Sequence, residues 1–515
     1  MLGALRGTRS LTAGQIRLVS VLTVAAVMVQ TLGASFNYIL DDMLRGLGSS
    51  DSQSDVARQM PTVGALLVIF VAGALGQRLG SRRVLLVCCG LYVIGSGVVA
   101  LAPSMPFATT GLLLANIGKS ALLVVALAAL GSSLQNKDGR ASGFAAFSAA
   151  IPFAYLFVPL LAAVIVESVG WRWVTVLWIV AGVVAMLLVW LFLTPDNAAP
   201  ASTGEMITPA LAGLVLATAV ESITLLSQQG VTTQLVVTLV VCLGAAVALA
   251  FALRLIRVPT LDLAPLRKGG LVLLLVVLIL TLFANLFFYM TMALQYVYQL
   301  APLEVAVAMV PAQICAVTGA AMSGRLVQRW GITVAGSGLM AVVAVSLVCS
   351  AGLQMTSPLW LAIVVVSVYA AAAAGAGVAV TNAVMDTAPT GKEGEASAFR
   401  GAAANLGTAI GVAGMTSVVI MASSVSLQHQ SVRAGIDPAT STEIAQSMAS
   451  GATSEEASSL YAVPIADVTE IDDFRRQAYL VGFRAHGLVG GSITLAAAGM
   501  FLAVRRRQER TSPVR

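Results

Sequence analysis

Gly73-Ala74-Leu75-Gly76-Gln77-Arg78-Leu79-Gly80 returns later in the chain as Gly324-Arg325-Leu326-Val327-Gln328-Arg329-Trp330-Gly331. Both copies read G-x-L-x-Q-R-x-G, at an offset of 324 − 73 = 251 residues. Each runs from a long apolar stretch into a short basic turn, and Arg82 and Arg83 extend the first. Glycines permit close helix approach and tight turning. The arginines hold such a turn at a membrane interface and can pair with helix C-terminal carbonyls. The repeat implies two similar halves, and repeated halves about a central site are the architecture of alternating-access transporters.

Composition agrees. Of 515 residues, 58% are hydrophobic and 10% charged, whereas soluble domains carry roughly 25% charged residues. So few charges cannot coat water-soluble domains. This excludes a soluble enzyme, a disordered chain and a nucleic-acid-binding module. Apolar segments of ~20 residues indicate spanning helices, not the ~10-residue alternating strands of a barrel. Fourteen segments fall at 18–40, 59–77, 84–103, 107–132, 142–166, 172–194, 207–226, 233–255, 270–298, 303–324, 332–353, 358–384, 397–424 and 480–504. The first is too long for a signal-peptide core and reads as a retained span. Cys88, Cys89, Cys242, Cys315 and Cys349 all lie in apolar segments without metal-ligand spacing. No disulfide, metal site or cofactor is expected.

An even number of spans puts both termini on one side. With the N-terminus inside, most of the 29 Lys and Arg residues fall in inner segments; Arg45, Arg58, Arg172, Arg433, Arg475, Arg476 and Arg484 fall outside. The excess of inner positive charge predicts a multi-pass plasma (inner) membrane protein with both ends cytoplasmic. The expected division is an N-terminal six-helix half over 1–195, an inserted helix pair with linkers over 196–268, a C-terminal six-helix half over 269–504 and a basic cytoplasmic tail over 505–515. Arg505–Arg507 serves as a stop-transfer signal or attracts anionic lipid. Residues 425–479 are polar and acidic, which predicts a solvated outer hairpin or lid with a helix-forming stretch from Glu443 to Tyr461.

The chain resembles the major facilitator superfamily, and its span layout resembles the fourteen-helix drug:proton antiporter branch. Gly73, Leu75, Arg78, Gly80, Arg82 and Arg83 match the family signature G-x-L-a-D-R-x-G-R-R. Gly170-Trp171-Arg172-Trp173 matches the branch's G-W-R-W, and Arg257-Val258-Pro259-Thr260-Leu261-Asp262-Leu263 resembles its approach to the ninth span. Gln295 through Pro302 and Leu303 to Pro311 resembles the connection to the tenth. Gly394-Glu395-Ala396-Ser397-Ala398, then Asn405-Leu406-Gly407 and Gly411, resembles the start of the thirteenth. The resemblance implies an all-α polytopic membrane protein of the major facilitator fold, with fourteen transmembrane helices. It implies a monomeric secondary active transporter, no enzyme, exporting amphipathic small molecules in exchange for protons. The departures are specific. Gln77 and its echo Gln328 stand at the signature's acidic position, Leu32 where an Asp is common, and Asn116 where the fourth span has Arg. Val158-Pro159-Leu160-Leu161-Ala162-Ala163 replaces G-P-x-x-G-G. Two other readings therefore stay open: transport of anionic or lipid-like substrates without the usual proton residues, and a non-transporting scaffold or receptor.

Lys119 lies about halfway along the fourth span, on the same helix face as Asn116. An ionisable residue at that depth is a functional candidate by default. No acid sits at matching depth, so Lys119 is expected to receive a substrate's negative group or to carry the coupled charge. Asp41 and Asp42 end the first span and either take up protons or begin a solvated loop. Gln30, Asn37, Asn116, Tyr155, Asn285, Tyr289, Gln295, Gln313, Asn382 and Asn405 either line a cavity or bond to neighbouring helices. Gly73, Gln77, Arg78, Gly80, Arg82, Arg83, Gly324, Gln328, Arg329 and Gly331 form the expected cytoplasmic gate, with Asp386 and Arg400 as loop or gate charges. His486 opens the last span, where a pH role competes with a structural one.

Overall fold

The computed structural model describes residues 12–48, 51–134, 137–194, 206–256, 260–261, 270–300, 302–387, 392–449 and 454–511. Much of the expected linkers over 196–268, including Arg257–Pro259, Asp262 and Leu263, lies outside the described residues, as do residues 512–515 of the tail. The side chains of Asn37 and Asp41 lie outside them too. Every regular element described is helical. In chain order these are α1 (Ala13–Gly46), α2 (Asp51–Leu79), α3 (Ser81–Ala100), α4 (Met105–Ser133), α5 (Lys137–Ser148), α6 (Ala150–Val169) and α7 (Trp171–Phe192). Then come α8 (Ile207–Gln229), α9 (Thr233–Leu255), α10 (Gly270–Phe283), α11 (Leu286–Tyr296), α12 (Pro302–Ala308), α13 (Val310–Ser350) and α14 (Leu359–Asp386). The chain closes with α15 (Glu393–Ala434), α16 (Pro438–Ala449), α17 (Ser454–Tyr461) and α18 (Ile465–Thr511).

Among the described residues, thirteen helical stretches are long and apolar enough to cross a membrane, where the sequence pattern gives fourteen. The difference lies in Leu303–Ser350, one stretch of 48 residues where separate spans at 303–324 and 332–353 are expected. At ~1.5 Å per residue it measures about 72 Å, more than twice the ~30 Å hydrocarbon core. Its backbone leaves the helical region at Gly331 (φ 77°, ψ 159°) and resumes at once. Gly80, between α2 and α3, has nearly the same conformation (φ 84°, ψ 145°). The last glycine of both motif copies thus holds a backbone geometry that side chains disfavour, and the chain changes direction there without a loop.

The expected ninth span, 270–298, is broken between α10 and α11. Asn285 caps α11, its side chain accepting from the Phe287 N–H (3.1 Å), and the Tyr369 hydroxyl donates to the Ala284 carbonyl (3.0 Å). Irregular backbone survives at membrane depth when protein groups satisfy it in this way. Asn285 is therefore a helix cap here, not a free cavity group.

Residues 425–479 are not a solvated loop. α15 and α18 extend into the stretch and α16 and α17 fill it. Ile444, Ala457, Val468 and Ile471, each at 0% exposure, close a small core between them. Asp437 caps α16 by accepting from the N–H and hydroxyl of Thr440 (3.0 and 3.1 Å), and these bonds hold its carboxyl below the usual carboxylate range. The composition misleads because so few apolar residues per amphipathic helix suffice for so small a core.

One large core gathers residues from Val19 to Leu193, joined by Met385 and Ala396, and two others lie between Leu271 and Val504. α9 is peripheral, with only Leu235 and Ala245 buried among its described residues. A Cβ on Gly331 would meet nothing within 4 Å, and the same holds for Gly338 in the same helix. Any effect of substitution at Gly331 is therefore backbone strain. Gly331→Ala is expected to lower stability by about 1–3 kcal/mol, while Gly338→Ala leaves it unchanged or raised. Thermal unfolding of the two purified variants, compared with the parent, checks this.

Candidate functional site

The two motif copies make parallel contacts. A Cβ on Gly73 of α2 would lie 2.7 Å from the Gly394 carbonyl oxygen, and one on Gly394 would lie 2.6 Å from that of Gly73. The two backbones therefore touch where α15 begins. Gln77 covers Gly394, its Nε2 buried without a hydrogen-bond partner. In the second copy, a Cβ on Gly324 would lie 3.1 Å from both the Ala141 carbonyl oxygen and the Ala145 Cβ of α5. One turn on, Gln328 Nε2 donates to Ser142 Oγ (2.9 Å). Each glycine–glutamine pair thus docks near the start of a helix in the opposite part of the chain.

Ion pairs and hydrogen bonds reinforce the same end. Arg140 of α5 pairs with Asp386 (3.5 Å) and donates to the Met385 carbonyl (3.1 Å) at the end of α14. Arg505 of α18 reaches the other oxygen of Asp386 (3.8 Å), so one carboxylate serves two arginines. Ser397 Oγ donates to the Val124 carbonyl (2.9 Å). A little deeper, the Phe70 and Phe399 rings meet edge to face at 5.4 Å. Other expected gate residues act elsewhere. Arg78 bonds to Thr260, Arg82 donates to the Trp190 carbonyl (2.7 Å), and Arg400 donates to Thr381 (2.8 Å). Arg83 and Arg329 are exposed, and Gly80 and Gly331 make the turns. Arg140, Ser142 and Arg505 join the closure unannounced. Their basic character or small size marked only a short inner loop or a tail.

A second cluster lies deeper. Lys119 sits at the middle residue of α4. A Cβ on Gly33 of α1 would lie 3.3 Å from Tyr155 Oη, 3.4 Å from Lys119 Nζ and 3.8 Å from Gln30 Oε1. Three helices thus bring three polar atoms around one glycine. Gln30 is buried, Lys119 half-buried and Tyr155 38% exposed. No described side chain makes a hydrogen bond or ion pair with Lys119. A lysine at helix centre costs about 2.5–3.5 kcal/mol on insertion scales. The neighbouring face of α1 is committed to packing: Thr31 Oγ1 meets Tyr92 Oη (3.0 Å), and Trp178 Nε1 donates to Ser35 Oγ (2.8 Å).

The remaining candidates are dispersed. Asn116 bonds back to the Leu112 carbonyl (2.9 Å), Asn382 to Val378 (3.0 Å) and Asn405 to Gly401 (2.9 Å), all within their own helices. Gln295, Gln313 and Asp42 are half-buried. Tyr289 belongs to an aromatic cluster of α11 and α18: its hydroxyl meets Thr416 Oγ1 (3.1 Å), its carbonyl accepts from Tyr479 (3.0 Å), and its ring lies 4.2 Å from that of His486. His486 is fully buried, and neither ring nitrogen has a hydrogen-bond partner.

The family profile of the Major Facilitator Superfamily matches residues 21–412. The methyl viologen resistance protein SmvA of Salmonella typhimurium is 25% identical over 453 residues, covering 86% of this chain and 89% of that one. An uncharacterised MFS-type transporter of Mycobacterium tuberculosis is 31% identical over 217 residues, 41% of this chain and 30% of that one. Among solved structures, the human organic anion transporter MFSD10 aligns with a TM-score of 0.62 at 14% identity, covering 95% of this chain and 100% of that one. The proton:xylose symporter XylE aligns with a TM-score of 0.57 at 15% identity, over 94% of each chain.

Two outcomes follow from this geometry. Asp386→Asn removes the charge that Arg140 and Arg505 share and loosens the closed end. With the five native cysteines replaced, a buried Ala145→Cys reporter should then label several-fold faster with a water-soluble maleimide; an unchanged rate means the ion pairs do not hold the closure. His486→Phe removes two buried, unpaired nitrogens while keeping a ring. It should raise the unfolding midpoint, since each unpaired buried group costs about 1–3 kcal/mol.

Proposed function

The chain belongs to the major facilitator superfamily, and from that premise we propose that it is a secondary active transporter working by alternating access. It exports amphipathic small molecules in exchange for protons. The observation that carries this reading is the closure at the motif end: Gly73 on Gly394, Gly324 on Ala141, and Asp386 between Arg140 and Arg505. Contacts of this kind join the N-terminal helices to the C-terminal ones at one end of the bundle. A transporter held shut on one side and open on the other has this form.

On this reading the spans within α1–α7 and those within α10–α18 form two halves of six spans each, α5 and α6 together making one, and α8 and α9 are the inserted pair. Leu303–Ser350, divided at Gly331, supplies two spans and brings the count to fourteen. The excess of Lys and Arg at the motif end makes that end cytoplasmic. The conformation is then outward-open, and both termini are inside. Export accords with the likeness to SmvA, whose name attaches it to methyl viologen resistance. Gln77, Gln328 and Leu32 supply no carboxylate at the family's acidic positions, so proton coupling rests on other groups of this chain.

Purified protein in liposomes, loaded in turn with cationic, neutral and anionic amphipathic dyes, tests the reading. At least one dye should leave faster when a pH gradient is imposed. Flux indifferent to the gradient removes proton coupling and keeps transport. An absence of flux for every dye removes transport and leaves a receptor or scaffold.

A further inference from the structure

We propose that Lys119, Tyr155 and Gln30 form a binding site for the anionic head of an organic monoanion, a carboxylate or sulfonate on an apolar body. The inference rests on the transporter reading and names its substrate class.

Three observations carry it. First, the ammonium of Lys119 has no counter-charge among the described residues. The ion pairs described in this chain lie near helix ends, at Asp386 with Arg140 and Arg505, and at Asp472 and Asp473 with Arg475 and Arg476. Second, the groups beside Lys119 are suited to an anion. The Tyr155 hydroxyl has no hydrogen-bond partner among the described residues, and the Gln30 amide presents either its oxygen or its nitrogen by turning over. With the ammonium they make three donors from three helices. Third, Gly33 carries no side chain, so nothing on that residue stands between the three polar atoms; an added Cβ would lie 3.3–3.8 Å from all three. Next to Gly33 and Tyr155 in sequence, Ala34 and Ala154 pack with Val158 and Val27, so the helices that carry the cluster are otherwise apolar there.

The charge logic also separates this chain from a carrier of dications such as methyl viologen. A fixed positive charge at mid-depth repels a dication, and no described carboxylate offsets it. The same charge attracts a monoanion and is neutralised by it. Binding then turns an unpaired charge in the membrane into a hydrogen-bonded pair, which is what a site needs in order to be both occupied and released.

The test uses the full-length protein and three probes on one ring system: 2-naphthylacetate, 2-naphthylacetamide and 2-naphthylethylamine. Equilibrium dialysis against purified protein measures binding, and proteoliposomes measure flux. Wild type should bind the acid at least ten-fold more tightly than the amide or the amine. Lys119→Arg should keep that preference, and Lys119→Met should abolish it while folding normally, as judged by unfolding midpoint and gel filtration. Equal binding of all three probes by wild type overturns the proposal without any variant. An acid preference that survives in folded Lys119→Met also overturns it. Flux of the amine in wild type, undiminished in Lys119→Met, sinks the site and keeps the transporter. Lys119-dependent binding of the acid with no flux of any probe keeps the site and sinks the transporter.

Discussion

The arrangement depends on two backbones touching. Gly73 and Gly394 approach until neither position tolerates a Cβ without displacement. No side chain mediates this contact, so it is short-ranged and unforgiving: it is made in full or not at all. Apolar side chains in lipid supply little net drive for helix association, and close packing of small residues supplies it instead. The counterpart, Gly324 on Ala141 and Ala145, makes the closure two-sided. A seam of small residues is well suited to repeated opening, because separating it exposes no large apolar surface and breaks few strong bonds.

The polar groups at the seam give it direction. Asp386 accepts from two arginines, one on α5 and one on α18, while remaining partly solvated. Such a pair costs less desolvation than a buried one and comes apart more readily. Gln77 and Gln328 stand where the family signature carries an acid, and they reach the starts of α15 and α5 by hydrogen bonding and contact. They add no net charge there. The closure of this chain therefore leans on Asp386, outside the repeated motif, for the electrostatics that the motif elsewhere provides.

Much of this was legible beforehand. Apolar length gave the spans, and the repeated octapeptide marked both docking strips, because close packing leaves glycine at fixed spacing. Lys119 stood out for the same reason: an ionisable residue in an apolar run is a signal at any depth. What was illegible is pairing across distance. Nothing near Arg140 in the chain points to Asp386, 246 residues later by 386 − 140 = 246. The break at Asn285 was hidden because its cap and the Tyr369 hydroxyl that satisfies Ala284 are local only in space. The small core of the 425–479 stretch is hidden from hydropathy, which averages over a helix, whereas Ile444, Ala457, Val468 and Ile471 alone close it.

Lys119 and His486 show why an unpaired polar group must be judged by its access. Both sit within spanning helices, and neither has a partner among the described residues. His486 is sealed at 0% exposure between the rings of Tyr289 and Phe483, 4.2 and 6.1 Å away. Closed off from solvent, its unmet hydrogen bonds are a cost to the fold. Lys119 is only half-buried, beside Gly33 and a partly exposed tyrosine whose hydroxyl has no hydrogen-bond partner among the described residues. Its unmet bonds can be met by something that enters and leaves. A charge kept at the middle of α4 with no described partner is what the proposed anion site accounts for, whereas the sealed histidine asks for no such explanation.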